Sequence, residues 1–151
     1  MAEGVRDVVH RFIGATNRHE LDTLADLFET NASFDAGSRF EAPFLGRAAI
    51  RGLFEGYYSR MPDLMVVAKD IYVNGREAVG SFDVYATLEG SDAGPVKLEG
   101  WESGRKLSWK GVYHFTIGTD GKIQSVKVFG DEQNVRWLAD PPVPTGPRPR
   151  G

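Results

Sequence analysis

Hydrophobic residues recur along the first part of the chain at the spacing of helices that bury one face. Val5, Val8, Val9, Phe12 and Ile13, followed by Thr16, occupy the i, i+3, i+4, i+7 and i+8 positions of an amphipathic helix and predict one over residues 5–17. Leu21, Leu24, Ala25, Leu27 and Phe28 repeat the pattern over a shorter length, with Asn31 as its stop. Ile50, Leu53, Phe54, Tyr57, Tyr58 and Met61 predict a third helix between Gly46 and Pro62, a residue that cannot continue one. Between the second and third helices, residues 32–43 read as a short strand and a loop.

Beyond Pro62 the period falls from 3.6 to 2, which predicts strands over residues 64–73, 78–89, 106–117 and 122–129. Asn74-Gly75 and Asp120-Gly121 supply hairpin turns. Residues 90–104 read as a long, mobile connection with one short strand around 96–98. Five of the eight prolines fall at or after Pro141, so residues 1–138 read as one domain and 139–151 as a flexible tail. Helices followed by an antiparallel meander predict an α+β fold, the helices covering one face of a curved sheet.

Alternation assigns the faces of that sheet. Ala78, Gly80, Phe82, Val84, Ala86 and Leu88 share one face, and in the next strand Trp109, Gly111, Tyr113, Phe115 and Ile117 do the same. Tyr113 is the polar tip in this aromatic wall. Asp83 belongs to the opposite face and is expected to meet solvent. Gly80, Gly111 and Gly130, set against large aromatics, either let the sheet bend around a cavity or mark an ordinary curved sheet.

Composition narrows the function classes. With 151 residues, 41% hydrophobic and 26% charged, the chain is an ordinary globular domain and neither fibrous nor disordered. Its net charge of −3 leaves no basic surplus for a phosphate backbone, so no nucleic acid partner is expected. Zero cysteines exclude a disulfide framework, a thiolate metal site and a cysteine nucleophile. His10, His19 and His114 show no metal-ligand spacing, and no Gly-x-Ser-x-Gly elbow occurs, so neither metal, cofactor nor serine nucleophile is expected. No apolar run reaches the roughly 18 residues of a membrane span. Glu3 and Asp7 stand where a secretory signal would carry basic residues, so a cytoplasmic location without membrane contact is expected.

The segments VVHRFIGATNRHELDTLADLFETNASFD (8–35), GRAAIRGLF (46–54), MPDL (61–64) and YHFTIGTDGKIQSVKVFGDEQNV (113–135) resemble the nuclear transport factor 2-like superfamily. The resemblance spans residues 5–138 and reaches the SnoaL-like polyketide cyclases and ketosteroid isomerase-like proteins. It implies a cone-shaped three-helix layer packed on a curved, mainly antiparallel sheet enclosing one deep apolar pocket, often in a homodimer built through the sheet. Ketosteroid isomerase is the nearest in local wording; it uses an Asp base with a Tyr and a protonated Asp as oxyanion donors. Carried over, the first-helix tyrosine falls on Phe12, the base on Ala36 or the neighbouring Asp35, and the oxyanion acid on Tyr113. The scaffold matches and the isomerase constellation does not.

Acid/base chemistry in an apolar pocket needs a base and a hydrogen-bond donor where an oxyanion develops. Tyr113 is the candidate donor. Asp35 and Glu41 flank the loop that rims the pocket in this superfamily, and Asp131 follows the last strand where SnoaL-like cyclases often carry a carboxylate; these three are the candidate bases. Phe12, Phe54, Tyr57, Tyr58, Phe82, Val84, Trp109, Phe115 and Val128 are the candidate substrate-lining residues, with packing as the alternative for Phe12, Tyr57, Tyr58, Trp109 and Phe115. The expected activity is a cofactor-independent isomerase, cyclase or dehydratase acting on a small apolar oxygenated molecule. The alternative is a non-catalytic module of the same fold that binds a hydrophobic ligand or dimerises.

Overall fold

The computed structural model describes residues 4–37, 40, 42–90 and 103–129 and the backbone of 136–137. The first apolar stripe forms α1 (Val5–Arg18), which buries Val8, Val9, Phe12, Ala15 and Thr16. It ends at His19, which adopts the left-handed conformation at φ 59° and ψ 38°. Few non-glycine residues do so without support. Here the imidazole stacks on Tyr58 with centroids 4.0 Å apart, and its Nε2 donates to the Leu64 carbonyl at 2.9 Å.

The second helix is shorter than its pattern predicts. α2 (Leu21–Asp26) stops after six residues, and β1 (Phe28–Asp35) begins where a helix running to Asn31 was expected. The reason is tertiary: Ile123 N donates to Leu27 O, and β1 then runs parallel to the sixth strand while Phe28, Ala32 and Phe34 enter the core. After β2 (Phe44–Leu45) come α3 (Arg47–Arg60), β3 (Met65–Asn74), β4 (Glu77–Thr87), β5 (Lys106–Ile117), β6 (Ile123–Phe129) and β7 (Arg136–Trp137). The Asn74-Gly75 turn joins β3 to β4, with Gly75 at φ 62°, a value that favours glycine.

The strands lie in the order β2-β1-β6-β5-β4-β3, with β7 pairing β5 beyond the end of β6. Because β1 and β6 run parallel and the other pairs antiparallel, the sheet is mixed rather than a pure meander. It stays open: β3 is one edge. α1 lies along that edge and fastens it. Arg6 Nη1 donates to Ile71 O at 3.0 Å, and the Asn17 amide takes the place of a strand neighbour, donating to Val66 O at 2.9 Å and accepting from Val66 N at 2.7 Å. Exposed edges invite pairing with other chains, and this one is covered along part of its length. The architecture is therefore α+β, three helices on one face of a curved, mainly antiparallel sheet. No helix among the described residues is long and apolar enough to cross a membrane.

The core lies between the helices and the inward face of the sheet, and Phe12 is its junction. Its ring meets Phe28 of β1 at 6.2 Å, Phe54 of α3 at 6.1 Å, and Phe115 and Tyr113 of β5 at 5.3 and 6.4 Å. Edge-to-face pairs of this kind add to the burial of the rings themselves. On the outward face the expectation for Asp83 needs correction. The residue is only 8% exposed, because Lys69 from β3 and Lys110 from β5 fold over its carboxylate, each at 3.1 Å. The expected strand at 96–98 and the tail at 139–151 lie outside the described residues.

Two outcomes follow for stability. Phe12→Ala should cost about 3–5 kcal/mol in a urea titration, since it leaves a cavity at the meeting point of four elements. Hydrogen bonds from Lys110 and then Lys69 hold the Asp83 carboxyl below its ordinary 3.8, so its contribution is present above that pH and lost as pH falls through the lowered folded value. Asp83→Asn should therefore narrow the stability difference between neutral pH and about pH 3, measured by thermal melts.

Candidate active site

The inward face of the sheet carries a reciprocal pairing of glycine and aromatic residues. Gly80 on β4 stands opposite Tyr113 on β5, and two positions away Phe82 stands opposite Gly111. Neither glycine has a positive φ, so the backbone requires glycine at neither. The rings require it. A Cβ at Gly80 would lie 2.7 Å from Phe82 Cε1, and one at Gly111 would lie 3.1 Å from Tyr113 Cε1. Each ring thus leans back over the glycine of its own strand, and the two meet with centroids 4.8 Å apart.

Tyr113 is held on three sides, by Phe82, Phe12 and Phe115. Its hydroxyl has no hydrogen-bond partner among the described residues, and the side chain is only half-buried although it faces the helices. Trp109 and Val128 on the same face are half-buried as well. Trp109, Tyr113 and Val128 are therefore the inward side chains of this face with surface left for an apolar ligand to contact. Burial pushes the Tyr113 phenol up to about 12, so at neutral pH it is protonated and its O–H is available to donate.

The other predicted lining residues divide by burial. Phe12, Phe54, Phe82, Val84 and Phe115 are fully buried among protein neighbours. Tyr57 is half-buried beside Phe54, with rings 5.8 Å apart. Tyr58 is also half-buried, yet its hydroxyl donates to Thr16 O at 2.8 Å and its ring carries His19, so it ties α3 to α1; burial raises its pKa.

Of the candidate bases, only Asp35 lies within the described residues; Glu41 and Asp131 fall outside them. Asp35 pairs with Lys127, which pairs in turn with His114, and this row belongs to the face opposite Tyr113. Its carboxylate accepts from Gly37 N at 3.1 Å. Phe34 before it and Ala36 after it pack toward the core, so the structure does not bring Asp35 and Tyr113 to the same face. The bulge that sequence reading allowed near Asp35 occurs earlier in the strand, between Phe28 and Ser33.

Sequence reasoning missed Phe40 and Phe44. They flank Glu41, pack edge to face with centroids 5.3 Å apart, and rest against the core. Their apolar character within an otherwise polar stretch was the available signal. The Thr16 hydroxyl is buried without a hydrogen-bond partner among the described residues. A separate open groove of about 630 Å³ lies between α2, β1, β2 and the start of α3, and none of the predicted site residues lines it. Three of its charged groups have partners within the fold, Arg51 with Asp22 at 2.9 Å and Arg47 with the Phe28 carbonyl. Among the described residues no group of three or more metal-ligating side chains converges.

Comparison with known proteins agrees with this architecture. The SnoaL-like domain matches residues 9–126. Among solved structures, SalBIII, described as an epoxide hydrolase/cyclase-like enzyme in pyran ring formation in the polyether salinomycin, superposes with a TM-score of 0.74 at 17% identity, over 89% of this chain and 95% of its own. A candidate polyketide cyclase from Xanthomonas campestris pv. campestris reaches 0.70 at 19% identity, over 85% and 91%. A Mycobacterium tuberculosis protein solved in complex with estradiol-17β-hemisuccinate reaches 0.72 at 10% identity, over 87% and 97%. At such identities the likeness establishes the fold alone. No curated protein matches the chain in sequence.

Proposed function

The chain belongs to the SnoaL-like domain family, and from that premise we propose that it is a cofactor-independent isomerase, cyclase or dehydratase working on a small, apolar, oxygenated molecule. The observation that carries the reading is the Tyr113 hydroxyl, a protonated donor on an aromatic wall without a hydrogen-bond partner among the described residues. In such surroundings a single donor aimed at a developing oxyanion is worth more than in water, because few other dipoles compete for the charge. The substrate oxygen would accept from Tyr113 while a carboxylate, Glu41 or Asp131, takes the proton from the adjacent carbon or hydroxyl; Asp35, on the opposite row, could do so only from another position. The same proton-transfer pair serves ring closure, double-bond migration and loss of water. The solved SnoaL-like neighbours described as cyclases support this class of reaction.

Two further elements belong to the proposal. The outward face of the sheet exposes Val79, Tyr85, Val112 and Phe129, and we read it as the contact surface of a homodimer. The absence of cysteine suits work in the cytoplasm. A non-catalytic ligand binder is the second reading, and the placement of Asp35 on the outward row favours it.

Tyr113→Phe separates the two. The enzyme reading expects turnover of the true substrate to fall by about 10²- to 10³-fold with an unchanged near-ultraviolet circular dichroism spectrum. Unchanged turnover removes Tyr113 from the chemistry. The binding reading expects a change in affinity and no reaction in either protein.

A further inference from the structure

The donor hydroxyl sits at the free end of a ring, so whatever sets the tilt of the ring sets the position of the donor. We propose that Gly111 is the positioning residue for Tyr113: by lacking a Cβ, it lets the phenol lean back along β5 and carries the hydroxyl end of the ring over residue 111. This inference rests on the reading of Tyr113 as the donor and adds the element that aims it.

The geometry supplies the argument. The atom of Tyr113 nearest a Cβ at position 111 is Cε1 at 3.1 Å, and Cδ1 lies farther away at 3.7 Å. Cε1 neighbours the carbon that bears the hydroxyl, so the outer end of the ring is the end that overlies Gly111. On its other side the ring is stopped by Phe82 at 4.8 Å, itself laid over Gly80, where a Cβ would meet Phe82 Cε1 at 2.7 Å and Asp70 O at 3.4 Å. Val128, directly opposite Tyr113 on β6, closes the third direction and would lie 3.7 Å from the same added Cβ. The one tight contact of an alanine at 111 is therefore with the Tyr113 ring, Val128 being at ordinary contact distance. The phenol must rotate away by a few tenths of an ångström at Cε1, and its hydroxyl moves with it. Hydrogen bonds weaken as they lengthen and lose alignment, so the tilt weakens the bond from the donor to a ligand oxygen held in place by the rest of the site.

Glycine in the middle of a strand normally weakens the strand, since it has no side chain to pack and more freedom to lose. At position 111 that loss is set against the placement of one ring. Gly111→Ala is accordingly expected to leave the chain folded while altering what Tyr113 can reach. A merely structural glycine would show the reverse, a change in melting temperature with no change in the hydrogen bond to a ligand.

The test uses 9-fluorenone, a planar apolar ketone whose carbonyl stretch falls when its oxygen accepts a hydrogen bond. Its infrared frequency is read bound to the unaltered protein, to Tyr113→Phe and to Gly111→Ala, with affinity and melting temperature measured alongside. The expected result is a lowered stretch in the unaltered protein, full loss of that lowering in Tyr113→Phe, and loss of most of it in Gly111→Ala at similar affinity. If Tyr113→Phe abolishes the lowering and Gly111→Ala leaves it intact, the positioning role is wrong and the donor reading survives. If fluorenone does not bind, or its stretch is the same with and without the phenol, the donor reading itself fails and the positioning role with it. Should Gly111→Ala not fold, Phe82→Leu makes the same test from the other side by removing the ring that stops Tyr113. A stretch unchanged in Phe82→Leu overturns the proposal.

Discussion

The contact on which the rest of the structure depends is the ring of Phe12. It touches β1, α3 and two positions of β5, and it comes from the helix that also covers the β3 edge. A residue in that position fixes the distance between the helical layer and the sheet, because aromatic rings in edge-to-face contact resist compression and leave voids if withdrawn. Once that spacing is set, the aromatics around Phe12 close one region of the interlayer space. Tyr113 stands at the border of that region, and it, Trp109 and Val128 are left half-covered.

The two faces of β4 and β5 use the same alternation for different ends. Inward, glycine and aromatic residues exchange places so that two rings fit where four side chains of ordinary size would crowd. Outward, a carboxylate and two lysines from neighbouring strands tie β3, β4 and β5 together across the sheet. The ion pairs are accessible on the lysine side and contribute little on their own. Their effect is to hold the strands in one register, and register decides whether Tyr113 faces the helices or the solvent.

Much of this was legible in the chain. The stripe from Val5 to Thr16 and the alternation from Lys106 to Ile117 gave the element that carries Phe12 and the strand that carries Tyr113, because each pattern is long enough for only one period to fit. The turn at Asn74-Gly75 was equally plain. What was hidden lay in pairings between distant segments. Leu27 and Phe28 continue a helical spacing, and only the bond from Ile123 N and the parallel run beside β6 make strand of them. Alternation says nothing of strand direction, so the parallel pair could not be foreseen. Asp83 was assigned to the correct face and the wrong exposure, since the lysines that cover it come from strands on either side. For Asp35 the difficulty was a bulge: its presence was foreseeable, its position was not, and one residue of slip changes which face a carboxylate meets.

Whether the Tyr113 hydroxyl is an unclaimed donor in an open apolar space is tested most directly by a crystal structure of the ligand-free chain that shows ordered water. It should place the hydroxyl against a water molecule, with Trp109 and Val128 bounding the space around it. A hydroxyl bonded to a protein carbonyl or side chain, with Trp109 packed into the space beside it, would contradict the account and leave Tyr113 as one more ring of the core.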